Sequence, residues 1–168
     1  KTYWNGFMVR GLKAQRDFKV RFEDSDDNLL EEGDLRIIQS TGLPAIFIET
    51  FSGNMDAINA DKEYRERGSI FVTDENGEVD TAQKLEYLKG HGNTSWEMDK
   101  KAYRFKLSNE AQVLGLGESK KWVLISNYDY ASEEKNMLVY DMANSIGLKG
   151  TPSFKYTEVY FNGQYQGL

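Results

Sequence analysis

The residues between Lys89 and Lys101 offer the clearest possibility of chemistry in this sequence. Gly90 and Gly92 flank His91, and three polar residues, Asn-Thr-Ser, follow them. Glycines let backbone N–H groups approach an anion such as a phosphate, and the polar side chains add hydrogen-bond donors. The paired lysines 100 and 101 could neutralise phosphate charge. The residue types therefore indicate an anion-binding loop.

A structural role explains the same segment equally well. Gly-rich loops are common turn devices, and Trp96 could plug the core beneath a tight connection between strands. The segment lacks the P-loop pattern and does not open a helix as a dinucleotide-binding fingerprint does. His91 titrates near neutral pH, but no carboxylate or nucleophile lies near it in sequence, which favours a loop or anion contact over a general base. Asp129, just before a predicted helix, is either a turn residue or a ligand for a metal.

Composition excludes several classes of protein. The sequence has no cysteine, so disulfides, thiolate catalysis and zinc–thiolate sites are excluded, and its single histidine excludes a multi-histidine metal site. Its formal net charge of −6 argues against nucleic-acid binding and against docking on an anionic membrane. No apolar run approaches the roughly 20 residues that span a bilayer, so no membrane insertion is expected.

Alternating polar and apolar residues predict a β-rich domain in which these residues would be positioned. The acidic run 24–27 and residues 74–77 are typical of turns, and Asn162-Gly163 predicts a type I′ hairpin. A short helical turn is predicted at 61–67. Strands are predicted at 17–23, 35–38, 44–49, 69–73, 84–89, 103–107, 122–125 and 154–161.

One longer helix is predicted from about 132 to 146. Ser132 is a suitable N-cap, Glu133 and Glu134 suit the first turn, and Gly147 suits the end. Its apolar residues recur at helical spacing, which predicts a face buried in the core: Leu138, Val139, Met142, Ala143 and Ile146. The fold class is therefore α+β, a mostly antiparallel sheet with one main amphipathic helix.

Several segments, in the same order and at similar spacing, resemble the CotH kinase family of spore-coat kinases. They cover the chain from about Leu43 to its end, and five in order make a specific signal. They are residues 42–50 (GLPAIFIET), 88–96 (LKGHGNTSW) with 100–107 (KKAYRFKL), 114–116 (LGL) with 120–128 (KKWVLISNY), Asn136, and 158–167 (EVYFNGQYQG).

The resemblance implies the N-terminal lobe of an atypical protein kinase, which transfers the γ-phosphate of ATP to Ser or Thr of a protein substrate with Mg²⁺ or Mn²⁺. The implied location is secreted, cell-surface or spore coat of a bacterium. Lys101 is the implied principal nucleotide contact and Lys100 the next. The complete set of implied cofactor contacts is Lys89, Gly90, His91, Gly92, Asn93, Lys100 and Lys101.

The sequence departs from the family at two positions, where His91 and Lys135 stand in place of the usual Arg. An arginine guanidinium can bind two oxygens at once, and His or Lys replaces it with a weaker contact. The family's metal-binding and catalytic aspartates lie beyond the 162–163 hairpin. Residues 1–40 are therefore expected to be a β-rich lead-in, and 41–168 the N-terminal part of a truncated kinase-like domain. We expect this chain to be inactive, with no catalytic residue and no metal ligand. We also expect self-association through its exposed last strand.

A non-catalytic binding or adhesion module of a secreted surface or cellulosomal protein is the alternative. The absence of any complete acid–base or nucleophile set leaves a purely structural β-rich domain open as well.

Overall fold

The structure is a computed structural model that describes residues 18–35, 40–126, 128 and 135–168. Contacts between residues divide the chain into two compact units. Among the described residues, those up to Gly42 form the smaller unit and those from Leu43 to Leu168 form the larger one. Each unit is described by itself.

The smaller unit contains a β-hairpin of β1 (Phe18–Glu23) and β2 (Leu29–Leu35). Its turn is held by Asp24, whose carboxylate accepts the N–H groups of Asp26 and Asn28 at 2.9 Å each. An Asp side chain that bonds to the backbone N–H groups after it is a common turn device. The predicted acidic turn is thus confirmed, and the strand predicted at 17–23 is confirmed over residues 18–23, while residue 17 lies outside the described residues.

The larger unit is built on one mixed sheet of seven strands, in the order β7-β6-β5-β4-β3-β8-β9. All neighbouring pairs are antiparallel except β3 and β8, which run parallel. The predicted α+β class, with a mostly antiparallel sheet, is confirmed. The elements are β3 (Ala45–Thr50), α1 (Asp56–Ala60), β4 (Glu66–Thr73), β5 (Val79–His91), a 3-10 turn (Thr94–Trp96), β6 (Ala102–Gln112), β7 (Glu118–Leu124), α2 (Lys135–Ser145), β8 (Glu158–Phe161) and β9 (Gln164–Gly167).

The sheet is strongly curled. Tyr103 on β6 and Phe161 on β8 meet edge to face with their ring centroids 4.9 Å apart. These two strands are four positions apart in the sheet, which corresponds to roughly 19 Å in a flat sheet. Register shifts in the β4–β5 and β5–β6 ladders supply the local bends that such curvature requires.

The inner face of the curled sheet carries the core. Successive side chains of a strand point to opposite faces, so alternate residues of the central strands turn inward together. Ile58 of α1 is fully buried against this face. The largest fully buried side chains of the sheet are Phe105, Ile48, Ile70, Leu88, Leu107 and Val72. The alternation of polar and apolar residues in the sequence therefore identifies correctly which face of these strands is buried.

Turn chemistry fixes the β8–β9 hairpin. Asn162 and Gly163 both have positive φ, 49° and 73°, as a type I′ turn requires. The amide oxygen of Asn162 also accepts the backbone N–H of Thr50 at 2.9 Å, which ties the turn to the end of β3. The predicted hairpin is confirmed, and β9 is an edge strand of the sheet. Self-association through this edge stays a prediction.

Two predicted elements are wrong in place or extent. The predicted helical turn at 61–67 is not there: the helix lies earlier, at Asp56–Ala60, and β4 already begins at Glu66. The predicted strand at 154–161 begins only at Glu158, because the ring of Phe154 packs on Tyr140 of α2, at 5.8 Å, and its segment forms no ladder. Of the predicted strand at 35–38, residue 35 ends β2 and the rest lies outside the described residues.

The helix predicted at 132–146 is present as α2, described from Lys135 to Ser145, while the proposed cap and first-turn residues lie outside the described residues. Its predicted core face is wrong. Leu138, Val139, Met142 and Ile146 are 58%, 62%, 66% and 77% exposed. The helix instead contacts the rest of the unit through its other side, where Tyr140 meets Phe154. No helix in the described part of the chain is long and apolar enough to cross a membrane.

Candidate functional site

The curled sheet and the segment around α2 border a half-open cavity of about 810 Å³. We call it the sheet cavity. The inner face of the sheet forms one wall, and α2 with residues 152–157 forms the opposite wall. Three of the predicted nucleotide contacts, His91, Lys100 and Lys101, line this cavity. The fold thus brings part of the predicted site into a concave space of the size that small ligands occupy.

Lys101 lies at the start of β6 with its ammonium group held by the preceding turn. Its Nζ donates to the carbonyl oxygen of Trp96 at 2.6 Å and to that of Met98 at 3.4 Å. The same nitrogen lies 4.8 Å from the centre of the Trp96 ring, a cation–π contact. An ammonium group has three N–H donors, so one remains for a ligand. Lys101 therefore stabilises the 94–98 turn and still presents positive charge to the cavity.

Lys100 links two distant parts of the sheet. Its Nζ donates to the carbonyl oxygen of Leu168 at 2.5 Å, although Lys100 precedes β6 and Leu168 follows β9. A side chain at Gly167 would place its Cβ 3.2 Å from this nitrogen. The curl of the sheet thus places a second ammonium group at the cavity, next to the β8–β9 hairpin.

The cavity also contains aromatic surface and neutral polar groups. The Phe154 ring lies between Tyr140 and Tyr156, with centroid distances of 5.8 Å and 6.4 Å. The hydroxyl of Tyr103 donates to the amide oxygen of Asn59 at 2.8 Å, and burial raises the pKa of Tyr103 to about 12. Aromatic rings suit a planar heterocycle, and lysines suit phosphates. The cavity therefore combines aromatic surface with positive charge.

The two glycines beside His91 have a structural role. A Cβ at Gly90 would lie 2.5 Å from the Trp96 ring, and a Cβ at Gly92 would lie 2.1 Å from Ser95 Oγ. Gly92 also has a φ of +92°, which L side chains rarely adopt. Trp96 packs against the core. The structural role considered for this segment, a tight connection with Trp96 as a plug, thus accounts for both glycines.

The remaining predicted residues line a different space. Lys89, Gly90, Gly92 and Asn93, together with His91, form one side of a cleft of about 270 Å³. Lys62, Glu63 and Arg104 complete it, and we call it the basic cleft. Lys89 Nζ donates to Glu63 at 2.6 Å, and this bond and charge lower the pKa of the Glu63 carboxyl. Among the predicted contacts, His91 is shared by the cleft and the sheet cavity.

Sequence reasoning missed Lys62 and Arg104. Arg104 lies directly opposite Lys89 in the β5–β6 ladder, so pairing the two predicted strands in the correct register would have found it. Lys62 comes from the segment between α1 and β4, and its contact with the carbonyl oxygen of Gly92 at 3.1 Å is tertiary. Asp129 lies outside the described residues. The described residues contain no group of three His, Cys, Asp or Glu side chains that could hold a metal ion.

Comparison with known families supports the resemblance found in the sequence. The family model described as CotH kinase protein matches residues 88–168. This match begins in the last part of β5 and includes β6, β7, α2 and the β8–β9 hairpin. The chain is therefore similar to CotH kinases over just under half of its length, in the part that supplies Lys100, Lys101 and the α2 wall of the cavity. A separate search of curated proteins found no match.

Proposed function

We propose that this chain is the nucleotide-binding part of a CotH-like protein kinase, which transfers the γ-phosphate of ATP to Ser or Thr of a protein. The observation that carries the proposal is that Lys100, Lys101 and His91 share one cavity with aromatic rings, within the segment similar to CotH kinases. In this proposal the rings accommodate the base, and the two ammonium groups bind the phosphates.

Phosphoryl transfer needs Mg²⁺ or Mn²⁺ to neutralise charge on the phosphates. Among the described residues no three His, Cys, Asp or Glu side chains come together, so they provide no complete protein ligand set for such an ion. Asp99 is a carboxylate in the cavity, and it accepts a hydrogen bond of 3.3 Å from the Tyr128 hydroxyl. We therefore assign ATP binding to this chain and derive no transfer step from its residues. We place the working protein outside the bacterial cytoplasm, as a secreted, cell-surface or spore-coat component.

The test compares ATP with adenosine by titration calorimetry, using the chain itself and its Lys101→Ala variant. We expect the wild type to bind ATP more tightly than adenosine, because only ATP engages the lysines. In Lys101→Ala this preference should fall by tenfold or more, with adenosine affinity little changed. Lys84 is an exposed lysine on β5 that lines neither the sheet cavity nor the basic cleft, so Lys84→Gln is the matched control. Equal affinity for ATP and adenosine in the wild type would refute the proposal.

The alternative is a binding or adhesion module without nucleotide chemistry. Two observations favour it: both glycines of the 90–92 segment are explained by packing around Trp96 and Ser95, and Lys101 already bonds to two carbonyl groups. A chain that shows neither heat of binding nor thermal stabilisation with ATP would support this alternative.

A further inference from the structure

The basic cleft concentrates positive charge that the fold itself does not require. Lys89 and Arg104 are direct cross-strand partners on β5 and β6. Like charges in this position repel each other and destabilise a sheet. Lys62 reaches the same cleft from another segment, and His91 lies beside them. In a chain of net charge −6, four basic side chains converge on one small space.

This charge is only partly neutralised within the protein. Glu63 pairs with Lys89, whose side chain is 12% exposed, whereas the Glu63 side chain is 64% exposed. In the described part of the chain, no carboxylate lies within ion-pair distance of Lys62 or Arg104. Burial first, then the charges of Arg104, Lys89 and Lys62, lower the pKa of His91. The three neighbouring cations thus disfavour a further positive charge on His91.

The side chains of the cleft suit a phosphate group. The cleft of about 270 Å³ has room for a phosphate and the group to which it is attached. Arg104 offers a planar guanidinium, which can bind two phosphate oxygens at once, and Lys89 adds an ammonium group from the facing strand. The exposed carboxylate of Glu63 occupies the Lys89 ammonium and would compete with an incoming anion.

We propose that the basic cleft is a second anion site, separate from the sheet cavity, which binds a phosphate monoester. The phosphate belongs either to a phosphorylated side chain of a protein or to a small phosphorylated molecule. Arg104 and Lys89 hold its oxygens, Lys62 adds charge at the rim, and Glu63 leaves Lys89 when the phosphate enters.

The single histidine of the chain gives one imidazole signal in a proton NMR spectrum. His91 lines both the basic cleft and the sheet cavity, so this signal detects binding at either, and the substitutions below assign it to the cleft. The probes are inorganic phosphate, a short capped peptide with one phosphoserine, and the same peptide without phosphate. We expect saturable shifts of the His91 signal with phosphate and with the phosphopeptide, and none with the unmodified peptide. A response to inorganic phosphate alone would assign the site to small phosphorylated molecules.

Substitutions distinguish the cleft from general charge effects. Arg104→Gln should weaken phosphate binding by tenfold or more, whereas Glu63→Gln should strengthen it severalfold because the competing carboxylate is gone. Lys84→Gln should leave the affinity unchanged. Lys101→Ala should retain phosphate binding even though it loses ATP discrimination, so the two proposals fail separately. Equal affinity for phosphate in the wild type and Arg104→Gln, or equal shifts of measurable size with both peptides, would overturn the inference.

Discussion

Replacing Gly90 with alanine tests the packing of Trp96 against β5, next to both the sheet cavity and the basic cleft. A Cβ at this position would lie 2.5 Å and 2.6 Å from two carbon atoms of the Trp96 ring, and 2.9 Å from Lys62 Cγ. Carbon atoms in good contact are about 3.5–4.0 Å apart, so the ring must move by roughly 1 Å. Gly90 is buried within β5 and its φ is not positive, so the effect is steric and not one of backbone strain.

The magnitude follows from what Trp96 would lose. Forcing an extra methyl group into a packed site costs about 1–3 kcal/mol. The displaced ring would also weaken its edge-on contact with Tyr103, at 6.0 Å, and its contact with the Lys101 ammonium, at 4.8 Å. Each such contact contributes roughly 0.5–1 kcal/mol. We therefore expect a loss of about 3 kcal/mol and a Tm lower by roughly 6–12 °C.

Urea unfolding followed by tryptophan fluorescence measures this loss. Gly33→Ala is the matched control, because nothing lies within 4 Å of a Cβ there, and it should be neutral or slightly stabilising. In a Trp96→Leu background the smaller side chain should accept the methyl group, so Gly90→Ala should then cost little. If Gly90→Ala were as stable as the wild type, or equally costly in both backgrounds, the packing argument would be wrong.

Two further predictions concern single side chains. Asn162→Ala removes the hydrogen bonds from Thr50 and puts alanine at positive φ, so it should lower the free energy of unfolding, measured by urea titration, by about 2–3 kcal/mol. Asn162→Gly removes the same hydrogen bonds without the strain at positive φ, so it should lower the free energy of unfolding by only about 1–2 kcal/mol. Equal losses would show that the φ of this turn is unimportant. For His91, the folded-state pKa lies below the ordinary value of 6.5, so the unfolded chain binds the proton first and stability should fall as pH drops from 7 towards 5. His91→Gln should lack this part of the decline, and an identical pH profile in both proteins would contradict the cause we assign.

The sequence predicted those parts of the fold that depend on local signals. The residue patterns of β3, β4 and β6 were sufficient to predict these strands, and Asn162-Gly163 was sufficient to predict the hairpin. Both depend on residues that are neighbours in sequence, which set the alternation of side chains along a strand and the conformation of a turn. The sequence could not show that the apolar face of α2 would be exposed. Helical spacing identifies an apolar face, but whether another element covers that face depends on tertiary structure, and α2 uses Tyr140 as its contact instead.

The sequence identified several residues of the candidate site but not how the fold arranges them in space. Lys89 to Lys101 looked like one loop, whereas Gly90 and His91 belong to β5. Residues 89 to 93 line the basic cleft, whereas Lys100 and Lys101 line the sheet cavity and His91 lines both. The segment is thus divided between the sheet cavity and the basic cleft. Lys62 and Arg104 were missed because they meet Lys89 only through tertiary and cross-strand contacts.

The parallel pairing of β3 with β8 has a consequence for how the chain folds. Pro44 and Thr157, which lie beside this ladder, are 113 positions apart. β4 to β7 form a meander of sequential hairpins whose contacts are local and can form early. β3 can join that meander through β4, but its other edge must wait until β8 has been synthesised. During translation on the ribosome, this edge of β3 is therefore open until the β8–β9 hairpin emerges and closes it.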